Sequence, residues 1–444
     1  MSANRVALLL VCLFAAVSAP WCGAQQPVAP SAPGAPRRAA AAPLPALPDP
    51  LTVDDAARIG VARNPQTIAA AAGVASAEAN YKSLNVLSNP TLGISHAQGT
   101  STAPTLNGQG ADTFFDLGEV FDTSGQRRFQ AAGARAQFGS QRYQLAESML
   151  TLEQQIRDAY WSLAAAQALT RYAKESLDEA QRVNALIHTQ QEAGAAPQVD
   201  VIRSGIDVAN AQQAFVTAQG AERSALIALN TLLVRPADAP IHLASDILAG
   251  MESAAPVPTA ADVAALTKSA VAQRPLARSA AELVRVAEYA TKQTKAGRFP
   301  DLGVDYERSL QQDADTVLLS VRFPLIDFGS LRYSVRAADE TRKQAVAQKE
   351  QAEQQVAQQV AQAVLDLTQG QKLLVSYAAD ILNPSLKLRD MAQLGYKQGA
   401  TGILPVIDAE TTLRSARTGY INSILAVRKA QDELAAAVGG PFPR

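Results

Sequence analysis

The sequence predicts a mainly α-helical chain built by duplication, with two β-hairpins that give four strands per chain and a membrane β-barrel as the destination of those strands. Three observations carry this. The 444-residue chain repeats its own landmarks at near-constant offsets, and each copy holds two short extended segments between long helical patterns. Beyond the first 24 residues no apolar run reaches the roughly 18 residues that a membrane helix needs, so passage through a bilayer has to be made by strands.

Composition narrows the classes. With 40 Lys plus Arg against 41 Asp plus Glu, the chain lacks the basic excess that phosphate binding needs, which argues against nucleic acid. Aromatic residues are only 5%, and the abundance of Ala and Gln favours long, thinly packed helices over one thick core.

The elements follow in order. Residues 1–24 read as a signal peptide: Arg5, an apolar run from Val6 to Val17, and small residues at Cys22-Gly23-Ala24 predict cleavage after Ala24. Lipid attachment at Cys22 is disfavoured, because Ala19-Pro20-Trp21 departs from the Leu-small-small run of such sites. Both cysteines precede Ala24, so the exported chain would be held by packing and assembly instead of disulfides. Residues 25–50, with eight prolines, read as a tether.

The duplication starts next. Pro65 recurs as Pro275, and Asn-Pro-Thr-Leu-Gly-Ile at 89–94 recurs as Phe-Pro-Asp-Leu-Gly-Val at 299–304, both 210 residues on. Asp122, Tyr172 and Gly194 recur as Asp327, Tyr377 and Gly399, each 205 on. The difference falls in the Gly-, Ser-, Thr- and Pro-rich stretch from Gln98 to Gly110, a loop. Residues 51–233 form the first repeat, 234–258 a linker, 259–438 the second repeat and 439–444 a tail. In each repeat a helix is expected from Thr52 or Asp262, both N-cap residue types, to the proline at 90 or 300.

Two strands then follow, Thr91 to Gln98 with Thr113 to Phe121, and Asp301 to Leu310 with Thr316 to Phe323. Leu302, Val304 and Tyr306 alternate with Gly303, Asp305 and Glu307, giving one apolar and one polar face. Asp305 and Glu307 are therefore assigned to a barrel lumen. After each hairpin comes a long heptad pattern, Met149, Leu152, Ile156, Ala159, Leu163 in one copy and Val356, Val360, Ala363, Leu367, Gly370, Leu374 in the other. The first runs from Ser124 to Ala193, about 105 Å of helix. Gly194 and Gly399 end these helices, and returning helices reach Leu233 and Val438.

Four strands cannot close a barrel, and open edges are not tolerated in lipid. Three chains supply twelve strands, enough for a water-filled lumen, so a homotrimer is expected.

The duplicated order of helix, hairpin, long helix, turn and returning helix resembles the outer-membrane efflux proteins of the TolC type from Leu51 to Val438. The strings Leu51-Thr-Val-Asp-Asp-Ala, Arg63-Asn-Pro and Asn89-Pro-Thr-Leu are similar to the CzcC-like branch that serves heavy-metal efflux. The resemblance implies a trimeric twelve-stranded barrel continued by an α-helical periplasmic barrel. It also implies docking to a periplasmic adaptor protein and an inner-membrane pump of the RND type, in contact with outer-membrane lipid and with no cofactor. By the same resemblance Asp200 and Tyr396 match a periplasmic gate pair, Asp408 matches a carboxylate ring around the axis, and the turns at Gly194 and Gly399 match adaptor contacts. Thr401, Pro405 and Gln190 depart from the charged residues of many relatives.

Other classes fit less well. His96, His188 and His242 are isolated, and neither a phosphate loop nor a helical metal pair is present in the sequence, so an enzyme is not expected. An exported coiled-coil scaffold or adhesin would share the Ala-rich heptads but not the paired hairpins. The exit duct of a type I secretion system shares the whole pattern and differs in its pump.

Overall fold

A computed structural model describes residues 47–86, 89–99, 110–194, 196–248, 260–310, 314–322 and 328–440. The leader, most of the tether, the linker from 249 and the tail from 441 lie outside the described residues, as do Phe323 and Asp327.

The first copy runs α1 (Val53–Arg63), α2 (Pro65–Asn85), β1 (Thr91–Gly99), β2 (Gly110–Phe121), α3 (Gln126–Glu192) and α4 (Gln198–Leu232). The second runs α5 (Ala260–Gln273), α6 (Pro275–Ala296), β3 (Asp301–Ser309), β4 (Ala314–Arg322) and α7 (Ser330–Ser376). A π-helical turn (Tyr377–Leu382), α8 (Asn383–Lys397) and α9 (Leu404–Val438) complete it. No described helix is long and apolar enough to cross a membrane.

Two expectations are corrected. The single helix expected before each hairpin is two, because Pro65 and Pro275 cannot donate a backbone hydrogen bond and hold Asn64 and Arg274 extended, with ψ of 130° and 132°. Thr52 caps α1, accepting from the Asp55 amide at 3.1 Å, but α5 already starts at Ala260, which places Asp262 in its first turn instead of at its cap.

The strands form one antiparallel sheet in the order β1-β2-β3-β4. Its junction with α3 is fixed by Asp122. That carboxylate accepts from the amides of Gly125 at 2.8 Å, Gln126 at 3.2 Å and Arg127, and from Ser124 Oγ at 2.6 Å. Partial burial works to raise its pKa, and these donors overcome it and hold the carboxyl below its ordinary range.

The 67 residues of α3 span about 100 Å. It packs against α2, α4, α6 and α9, and α7 packs against α5, α6 and α9. The most enclosed region surrounds Leu152, Ile156, Tyr160 and Leu163. There the Tyr160 hydroxyl donates to Leu51 O at 3.1 Å and accepts from the Ser245 amide at 3.3 Å, while Leu51 and Leu243 form a parallel bridge. The chain entering the first copy and the chain leaving it are thus fastened to one side chain.

Candidate functional site

Cross-strand register sorts the sheet into two faces. Leu92, Ile94, Phe115, Leu117, Val304, Tyr306, Val317 and Leu319 share one, which is apolar and, apart from the half-buried Phe115 and Val304, exposed in the single chain. The other holds Ser95, Asp116, Gly118, Asp301, Gly303, Asp305, Glu307, Thr316, Ser320 and, opposite Asp301, Arg322. Asp305 and Glu307 therefore stand on the polar face, and Glu307 is directly opposite Asp116. The contribution of Asp116 escaped the sequence reading because Phe114, Phe115 and Leu117 around it blur the period of two. Its register partner is the signal that reveals it.

The acidic side chains lie along the wall. Asp116 is paired with Gly93, and its carboxylate occupies the space a Cβ there would take; Asp305 stands in the same relation to Gly118. A side chain at either glycine would displace the carboxylate.

At the other end of the helices, α3 and α8 stop at Gly194 (φ 74°) and Gly399 (φ 69°), whose left-handed backbones favour glycine. Nothing lies within 4 Å of a Cβ built at either, so both turns are open. Asp200 sits in the first turn of α4, its carboxylate 4.0 Å from Arg203. Tyr396 on α8 donates its hydroxyl to Gln190 Oε1 on α3. The within-chain acceptor of Tyr396 is thus Gln190, while Asp200 acts on it through charge: burial first, then the Asp200 carboxylate, raise the phenol above its usual range. Asp408 is exposed on α9, apart from this pair.

Between these turns and the middle of the tube lies a cluster the sequence reading missed. Arg414 on α9 is 2.5 Å from Asp207 on α4, and both side chains are largely buried. Gln393 Nε2 donates to Glu410 at 2.9 Å and to Glu179 at 3.4 Å. Burial, then the neighbouring Glu179, push the Glu410 carboxyl above its ordinary value. Arg417 lies 5.0 Å over the Tyr172 ring and 3.8 Å from Glu175. Asp207 falls in register with Ser204 and Ala211 on the buried stripe of α4, and a charge in such a stripe signals a partner on another helix. Among the described residues no three His, Asp or Glu side chains are grouped as metal ligands.

Comparison with known proteins matches the duplication. The profile of the family described as Outer membrane efflux protein matches residues 60–234 and again 266–440. The pyoverdine export outer membrane protein OpmQ of Pseudomonas aeruginosa is 23% identical over 374 residues, covering 79% of this chain and 76% of that one. The crystal structure of CusC matches with a TM-score of 0.76 at 17% identity, over 87% of this chain and 92% of CusC. That of the outer membrane protein VceC from Vibrio cholerae matches with a TM-score of 0.74 at 16% identity, over 88% and 96%. Identities this low speak for the shared fold, whereas the family match takes in most of both repeats, and the chain belongs to the outer membrane efflux protein family.

Proposed function

We propose that three copies of this outer-membrane efflux channel component close their sheets into one twelve-stranded barrel and form a passive exit duct with a preference for cations. The unpaired outer edges of β1 and β4 support the trimer, since neither edge can remain open in lipid. Twelve strands leave room for a water-filled lumen.

The observation that carries the solute class is the acidic face. Asp116, Asp301, Asp305 and Glu307 share it, four acids against Arg322, which stands opposite Asp301 at the end of β4. Repeated three times around an axis, such a wall attracts cations and repels anions, which suits heavy-metal cations delivered from the periplasm.

At the far end the turns at Gly194 and Gly399 would receive a periplasmic adaptor, which in turn would bind an inner-membrane pump of the RND type. The Tyr396 to Gln190 hydrogen bond, with Asp200 beside it, would hold the entrance narrow. Three exposed Asp408 carboxylates near the axis would add a second cation-selective ring. The openness of both turns supports the docking assignment, and the contact across α3 and α8 supports the gate.

Reversal potentials in planar bilayers under a KCl gradient test this reading. The wild-type channel should prefer potassium over chloride. Asp116→Asn with Asp305→Asn and Glu307→Gln should reduce that preference severalfold, and Asp408→Asn should reduce it further. An anion-selective wild type, or a ratio unmoved by all four substitutions, would remove the cation assignment.

A further inference from the structure

We propose that the outside of the tube, just below the barrel, holds anionic phospholipid headgroups on Arg128 and Arg135 of α3. The inference rests on the membrane orientation of the sheet and is independent of the solute class and the gate.

A groove of about 1300 Å³ runs along α3 between α2 and α6. Its upper rim is made by Glu119, Val120 and Phe121, at the end of β2. Glu119, paired with Val304, and Phe121, paired with Leu302, belong to the apolar face of the sheet, and Val120, paired with Gly303, to the other. The groove therefore continues the lipid-facing surface downward. The opposite face of α3 is uncharged and polar there, with Gln130, Gln137, Gln141 and Gln144.

Arg128, Arg135 and Arg142 line this groove at seven-residue intervals, in one straight stripe, and all three are exposed. Other arginines nearby are engaged. Arg285 is 2.7 Å from Glu282, and Arg127 donates to the Leu84 and Val86 carbonyls. Arg142 stacks on the Phe138 ring with its guanidinium 5.8 Å from the centroid. Arg128 and Arg135 form no ion pair among the described residues. In the second copy, 205 residues on, the same stripe reads Tyr333, Glu340 and Ala347, so the basic stripe is not demanded by the shared scaffold.

Depth selects the ligand. The polar headgroup layer is roughly 5 to 8 Å thick on each side of the bilayer. Arg128 starts about 3 Å into α3, and Arg135 about 13 Å in. Helical side chains lean toward the N-terminus, which here is the membrane end, so Arg135 reaches up toward the same layer. Arg142 starts about 24 Å down and falls short. A guanidinium presents paired donors that match phosphate oxygens, and Phe121 at the rim is the kind of residue that sits at a membrane boundary.

Native mass spectrometry of the full-length protein, titrated in detergent with phosphatidylglycerol or phosphatidylcholine, tests the site. The wild type should retain phosphatidylglycerol preferentially. Each loss of an arginine beside an anionic headgroup should weaken retention roughly fivefold, so Arg128→Gln with Arg135→Gln should lose on the order of 25-fold. Arg142→Gln should leave retention unchanged, and Arg128→Lys with Arg135→Lys should keep most of it. Unaltered conductance in bilayers would show that the glutamine variant is folded. Equal retention of both lipids by the wild type, or a glutamine or lysine pair that departs from these outcomes, would overturn the proposal.

Discussion

The two copies follow the same order of helices and strands, save that a π-turn divides the second long helix, yet they are fastened differently. At the first proline break Asn64 caps α2 with its own side chain, accepting from the Gln66 amide at 2.9 Å and donating to Leu232 O at 3.3 Å. At the second break Arg274 takes the place of Asn64. It donates to Ala437 O, the counterpart of Leu232, and the cap on the Leu276 amide is supplied from α3 by Glu147, which is also 2.8 Å from Arg274. The geometry of the joint was kept while the means changed from one residue to an ion pair between helices.

The contrast extends along the long helices. Glu147, Asp158, Tyr160 and Trp161 in α3 stand where α7 has Ala352, Ala363, Leu365 and Asp366. Trp161 Nε1 donates to Asp432 at 3.0 Å, and Tyr160 holds the chain crossing. The first copy thus carries the polar tethers of the molecule. Its helix is continuous for 67 residues, whereas the second gives way to a π-turn just before Pro384. Duplication transmits topology, and unequal tethering leaves one arm as a strut and the other jointed.

Substitutions can break this contrast. Glu147→Ala leaves Arg274, whose side chain is 8% exposed, buried without its partner. It should cost about 3 kcal/mol or more. Asn64→Ala, which removes only a cap, should cost about 1 kcal/mol. Denaturant unfolding followed by circular dichroism measures both, and equal losses would erase the distinction.

A smaller effect is expected at the joint. Gly419 of α9 lies against the Tyr377 ring, so an added methyl collides with the π-turn. Gly419→Ala should therefore destabilise by about 1 to 3 kcal/mol. Its counterpart in the first copy is already alanine, Ala214, so Ala214→Gly should cost only about 1 kcal/mol, as helix propensity dictates. Thermal midpoints of the two variants compare the joints directly.

A further effect depends on pH. Burial raises the Asp158 carboxyl to about 6, with Asp432 and Glu433 adding to the shift and Lys429 opposing it. A carboxyl raised in the folded state binds its proton more tightly there than when unfolded. Its ionisation therefore weakens the fold at neutral pH, and stability should rise as pH falls from above 6 toward about 4. Asp158→Asn should remove this slope and raise the unfolding midpoint near neutrality. A slope that persists in the variant would assign it to other groups.

Much of this architecture is legible in one dimension because it is set by local period. Strand alternation located all four strands to within a few residues, and the heptads of α3 and α7 marked Leu152, Ile156, Val356 and Val360, which are buried. What stayed hidden depends on partners distant in sequence. Arg414 meets Asp207 across 207 positions, and Tyr396 meets Gln190 across 206, neither at the offset of the duplication. The breaks at Pro65 and Pro275 were visible as residues, but a helical pattern on both sides of a proline reads as one helix until the backbone turns.

The flattened acids of the sheet have a consequence for calibre. With Asp116 laid over Gly93 and Asp305 over Gly118, charge contributes to the wall without occupying the bore. At those two levels the width available to a hydrated solute then depends on residues with no side chain. A lineage could narrow its passage by gaining a methyl at either glycine, keeping every carboxylate, or discharge the wall by amidation, keeping its width. Diameter and polarity are separately adjustable in such a pipe, and a change in what passes need not leave a trace in the acidic residues at all.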